Sequence, residues 1–129
     1  MVNEVSKNKV FKNEFDIVEA VVVGDQTAAS IQHMFDQAAE LCDGMRKTDK
    51  PILILDNLTK VGRAPTEGPK VVVGNVKNSN FDKFAFVGSG TLFRLGAILV
   101  LQAIGKGDSV KYFDDYDTAV SWLTAKNDS

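Results

Sequence analysis

Phe113-Asp114-Asp115-Tyr116-Asp117-Thr118-Ala119-Val120-Ser121-Trp122-Leu123 joins the last predicted strand, Val110 to Phe113, to the last predicted helix, Asp114 to Lys126. Asp114 and Asp117 are expected to cap that helix, because acidic side chains near a helix start accept from amides that lack an intrahelical partner. Tyr116, Ala119, Val120 and Leu123 then fall on one apolar stripe. A short strand followed by an amphipathic helix is the unit from which the rest of the chain is also built.

Upstream of it, a helix is expected from Leu92 to Ile104, stopped by Gly105-Lys106-Gly107 and preceded by the strand Phe84 to Val87. Thr66 to Ser79 is ambiguous. Its three successive valines and Gly74 suit a strand, whereas Thr66 as a cap, with Val72, Val73 and Val76 on one face, suits a helix. Helix is favoured because it completes the alternation. Asn57 to Pro65 reads as a loop after the buried strand Ile52 to Leu55, which ends at Asp56. A helix to about Asp43 has apolar positions Ala28, Ile31, Met34, Phe35, Ala38, Leu41 and Met45 at spacings of three and four, with Gly44 as its closing residue. The near-continuous apolar end of Phe15 to Val23 predicts a central strand, and Val5 to Phe11, with Lys7 and Lys9, an edge strand. Met1 to Ser6 and Lys126 to Ser129 are expected to fray. The order β, β, three αβ units and a final α predicts one α/β domain over 1–129. It has a mostly parallel five-stranded sheet, an antiparallel first strand and four helices.

Composition narrows the function. The 129 residues suffice for one core. Fifteen basic against 17 acidic residues give a net charge of −2, which points away from nucleic acid, whose phosphates call for a basic face. Cys42 is the single cysteine and His33 the single histidine, so neither an intrachain disulfide nor a Cys/His zinc site can be assembled. No secretory leader is expected from a start carrying Glu4, Lys7, Lys9, Lys12, Glu14 and Asp16, and no stretch is apolar enough to span a bilayer. A cytoplasmic protein without cofactor or metal is the expectation.

The run Phe113 to Leu123, with its aromatic strand end, acidic cap and Trp-Leu close, resembles the closing signature of SpoIIAA-like proteins. Phe84-Ala85-Phe86-Val87-Gly88 also stands where that family has an apolar strand ending in glycine. The resemblance implies a fold akin to the STAS domain of anti-sigma-factor antagonists, and a comparison with Sec14/CRAL-TRIO lipid-binding domains. It implies a fold more firmly than an activity. Trp122 is expected to lock the last helix onto the sheet.

In an open parallel sheet, ligands gather beyond the carboxyl ends of the strands. Candidate ligand residues there are Asp56, Asn57 and Arg63 in one loop, and Gly88, Ser89, Gly90, Thr91 and Arg94 in another. Gly88-x-Gly90 opening a helix could hold an anion on free amides, or could simply be a tight turn; Phe93 stands where a dinucleotide fingerprint wants a third glycine. Thr66 stands roughly where STAS antagonists carry a phosphorylatable residue, though Pro65-Thr66 replaces the Asp-Ser of that motif; a plain cap is the alternative. Asp114, Asp115 and Asp117 lack a calcium-loop pattern and are read as helix caps.

The helix Leu92 to Ile104 is apolar on more sides than one sheet-facing stripe can bury. A homodimer interface through Ile98 and Leu101, a lid over an apolar ligand, and burial by a neighbouring helix are the readings open to it. With no matched nucleophile and base, the sequence points away from an enzyme. The leading expectation is a non-catalytic module acting through protein contacts. The alternative is a carrier or sensor of a small apolar or anionic ligand.

Overall fold

The computed structural model describes residues 7–126. Its elements are β1 (Lys9–Lys12), β2 (Val18–Gly24), α1 (Ala28–Met45), β3 (Leu53–Val61), α2 (Gly68–Asn78), β4 (Lys83–Val87), α3 (Thr91–Ile104), a single 3-10 turn (Gly107–Ser109), β5 (Val110–Phe113) and α4 (Tyr116–Thr124). The sheet order is β1-β2-β3-β4-β5; β1 runs antiparallel to β2 and the rest are parallel. No helix among the described residues is long and apolar enough to cross a membrane.

Side-chain alternation along the strands divides the core in two. Val18, Ala20, Val22, Ile54, Phe84, Phe86 and Val110 face α1, α2 and α3. Ile17, Leu53, Leu55, Ala85 and Val87 face Ala119 and Leu123 of α4, so both faces of β3 and β4 are buried. The ambiguous valine segment is helical, with Val76 fully buried. A reciprocal amide pair, Gln32 with Asn75 at 2.9 and 3.1 Å, ties α2 to α1.

Several boundaries differ from expectation, for local reasons. Gly44 lies inside α1, which runs on to Met45 because Met45 is itself buried. β3 does not stop at Asp56: residues 57–61 continue as strand along β2, so Asn57 is a strand residue. Thr66 sits in an exposed turn closed by Gly68 N–H to the Pro65 carbonyl, and α2 starts at Gly68 without a side-chain cap. Asp115, not the Asp114/Asp117 pair, caps α4, accepting from the Thr118 amide at 2.8 Å and its hydroxyl at 2.8 Å. Those two bonds hold the Asp115 carboxyl below the usual carboxylate range. The expected start of the first strand, before residue 7, lies outside the described residues.

Trp122 is half-buried beside Phe113, ring centroids 5.5 Å apart, with the ammonium groups of Lys83 and Lys111 over its ring at 5.3 and 5.4 Å. Lys83 also donates to the Trp122 and Ala125 carbonyls at the end of α4. The other end of α4 is tied to β2: the Tyr116 hydroxyl donates at 2.6 Å to buried Glu19, which also accepts from Asn13 Nδ2 at 2.9 Å. Burial and the Glu19 bond push the Tyr116 pKa up to about 12. Tyr116→Phe should cost about 1–3 kcal/mol in urea unfolding, because it leaves a buried carboxylate short of a donor; a loss below about half a kcal/mol would show that Asn13 alone satisfies Glu19.

Candidate functional site

The helix-bearing face opens into a cleft of about 310 Å3 at the carboxyl ends of β2, β3 and β4. Its floor is Val22, Asp56 and Phe86, one from each strand. Ile31 and Met34 of α1, Val72 of α2, and Phe93, Ala97 and Val100 of α3 form the walls. The volume lies at the low end of the roughly 300–1,000 Å3 of small-molecule pockets, and the lining is apolar as in most of them.

The backbone explains why the far wall is apolar. Val21 pairs with Asn57, but Val23 pairs with Lys60, so β3 carries one extra residue there. Such a bulge switches which side chains point inward. Asp56 and Leu58 face the cleft; after the bulge Val61 does so, and Lys60 is exposed. The rim is fixed by Gly62 N–H to the Gly24 carbonyl at 2.8 Å, Gln26 N–H to the Arg63 carbonyl at 2.8 Å, and Arg63 N–H to Asp25 Oδ1 at 2.7 Å. A Cβ at Gly62 would strike Asp25, so the close approach requires glycine. At Gly88 the space a Cβ would fill is taken by the Phe93 ring, which seats the start of α3 on the sheet.

Two polar side chains line the cleft. Gln26 is committed: its amide donates to Asn8 Oδ1 and the Val23 and Gly24 carbonyls, and its oxygen accepts from Asn8 and Ser30. Asp56 differs. It lies on the central strand, beside Ala20 and Phe86, and is 3% exposed. Its carboxyl makes no hydrogen bond or ion pair among the described residues, and burial alone pushes its pKa up to about 7. Among the described residues, no Lys, Arg, His, Glu or second Asp lines the cleft. A buried carboxyl without a counter-charge is costly to a fold, and such groups concentrate at functional sites.

The remaining candidate residues scatter. Asn57 is turned by alternation away from Asp56, and its Oδ1 accepts from the Thr59 amide and hydroxyl. Arg63 reaches the rim through its backbone. The Gly88 amide is spent on the Phe113 carbonyl, and the Gly88 carbonyl accepts from the Tyr112 hydroxyl. Ser89, Gly90 and Thr91 are exposed at the start of α3, and Arg94 pairs with Asp114 at 2.7 Å. Asp56 thus enters a site with none of its predicted companions. Its partners there include Met34 and Val72, read in the sequence only as core positions, and Phe93 and Ala97 of the helix for which a lid over an apolar ligand is one of three readings.

A wider depression of about 410 Å3 at the opposite end, beside Cys42 and Arg46, offers less chemistry. Arg46 is already held by Asp43 and the Asn80 carbonyl, and burial pushes the Cys42 thiol up. His33 is exposed on α1.

A family model described as SpoIIAA-like matches residues 17–124. The chain belongs to the SpoIIAA-like family. Among solved structures, it is similar to an uncharacterized protein of the DUF3478 family with a SpoIIAA-like fold from Shewanella loihica PV-4. The likeness has 20% identity and a TM-score of 0.64, and covers 95% of this chain and 98% of that one. At that identity it speaks for the fold of this SpoIIAA-like domain. No curated protein matches the chain.

Asp56 gives the domain a pH signature. Its folded pKa stands above the ordinary 3.8, so between about pH 4 and 7 the folded state keeps a proton that the unfolded chain has released. Stability from this group is full below that window and is lost as pH rises through it, by about 1.4 kcal/mol per unit. Asp56→Asn should remove most of the fall in urea midpoint between pH 5 and 8 and raise stability at pH 8. An unchanged pH profile would show that the carboxyl is solvated in the folded state.

Proposed function

We propose that this SpoIIAA-like domain is a non-catalytic binding module, a carrier or sensor, whose ligand is a small, mainly apolar molecule held in the cleft between α1, α2 and α3. The observation that carries the reading is the unpartnered Asp56 carboxyl on the floor of an otherwise apolar cleft. A core position filled only for stability would carry an aliphatic side chain there. Once ionised, above about pH 7, this carboxyl also opposes an anionic ligand at its position.

A second reading is favoured by the outer side of α3. Phe93, Ala97, Val100, Leu101 and Ile104 turn inward, so Leu101 packs on the core while Ile98 stands at the edge of the exposed face. Leu92, Leu95 and Leu99 are 86%, 56% and 67% exposed on that face. An apolar stripe of this kind suits contact with a second copy of the chain.

The two readings separate experimentally. Titration with 2-phenylethanol, followed by amide NMR, should shift Val22, Val72, Gly96 and Ala97, and Val72→Trp should abolish those shifts in a folded protein. If no cleft amide moves up to the solubility limit of the alcohol, the ligand reading fails. On the second reading, light scattering should show a dimer that Leu95→Glu with Leu99→Glu converts to monomer; a wild-type monomer at high concentration would remove it.

A further inference from the structure

The ligand-binding reading leaves the class of ligand open, and the chemistry around Asp56 narrows it. The floor of the cleft carries one carboxyl group, an acceptor alone once ionised, and the walls built by the described residues carry no free side-chain donor, since every polar atom of the Gln26 amide is already engaged. A carboxylate or phosphate ligand would therefore meet a carboxyl group and hydrocarbon. A hydroxyl ligand would bring one donor and no charge. An ammonium group brings three donors and the missing counter-charge. No ionisable group of β2, β3, β4, α1, α2 or α3 other than Asp56 lines the cleft, so among the described residues no cation competes for it. Lys60 turns outward at the bulge, and Arg94 is held by Asp114.

We propose that the cleft takes a small apolar amine, its ammonium group seated on the Asp56 carboxylate and its hydrocarbon body against Ile31, Met34, Val72 and Phe86. The inference rests on the ligand-binding reading above. Uptake is coupled to a proton: the protonated amine enters, the Asp56 carboxyl gives its proton to solvent, and the pair that forms is neutral overall. Because the empty site holds that proton up to about pH 7, affinity rises with pH until Asp56 is fully ionised in the empty cleft.

The test compares 2-phenylethylamine with 2-phenylethanol and 3-phenylpropanoate on the full chain. Amide NMR gives the affinities, and calorimetry in buffers of different ionisation heat gives the proton count. At pH 8 the amine should bind roughly tenfold to a hundredfold tighter than the alcohol, the range expected for one charge-assisted contact. At pH 5.5 that preference should shrink by about thirtyfold, with proton release on binding. Asp56→Asn should abolish the amine's preference over the alcohol, and shifts of the cleft amides on adding the alcohol show that the variant is folded with an open cleft. Equal binding of amine and alcohol, tightest binding of the propanoate, or an Asp56→Asn variant that keeps the amine preference overturns the inference alone. If none of the three probes moves a cleft amide, the ligand-binding reading falls with it.

Discussion

Parallel strands that follow one another in chain order, joined by right-handed crossovers, must carry every connecting helix on the same face of the sheet. Here that constraint crowds α1, α2 and α3 over one side and leaves the other to α4 alone. α2 and α3 are seated by Val76 and by the Phe93 ring against Gly88, and between them and the carboxyl ends of the strands the cleft is left over. The same crowding leaves the outer side of α3 bare. α4, free of such competition, closes the second face with Ala119 and Leu123 and is clamped by Tyr116 at one end and Lys83 at the other.

The two buried carboxyls show how the domain treats charge. Glu19 receives donors from Tyr116 and Asn13, and its burial serves the packing of α4. Asp56, two strand residues beyond Ile54 on the face of α1 to α3, receives none from the described residues. Both lie within sheet strands, in the interior, and only one is provided for. Stability favours pairing a buried carboxyl or replacing it with hydrocarbon, so the unpaired one marks the place where the fold yields to another requirement.

Much of the architecture was legible in the sequence because it rests on hydrophobic period and on strand–helix alternation. Val18 to Val23, Phe84 to Val87 and the α1 stripe carry those signals strongly. The errors lie where tertiary contact overrode a local signal. Gly44 stayed helical because Met45 had a core to reach, and residues 57–61 stayed extended because β2 continued beside them. Asp56 could be picked out as a polar residue at the end of an apolar strand. Its walls on α1 and α2 could not, because Met34 and Val72 differ from ordinary core residues only in facing space left by helix packing; the α3 wall was legible only as one of three readings of an over-apolar helix. The split of Asp56 from Asn57 follows from strand alternation, once β3 is known to run past them both.

The extra residue in β3 bears on how the cleft wall tolerates change in the length of the chain. Beyond the bulge, Val61 meets the cleft and Lys60 does not. With Thr59 removed, Asn57, Leu58 and Lys60 would pair in turn with Val21, Val22 and Val23, and Lys60 would still face away from the cleft. The bulge is thus a slack residue: a single-codon shortening of this strand can be absorbed there while the wall stays apolar.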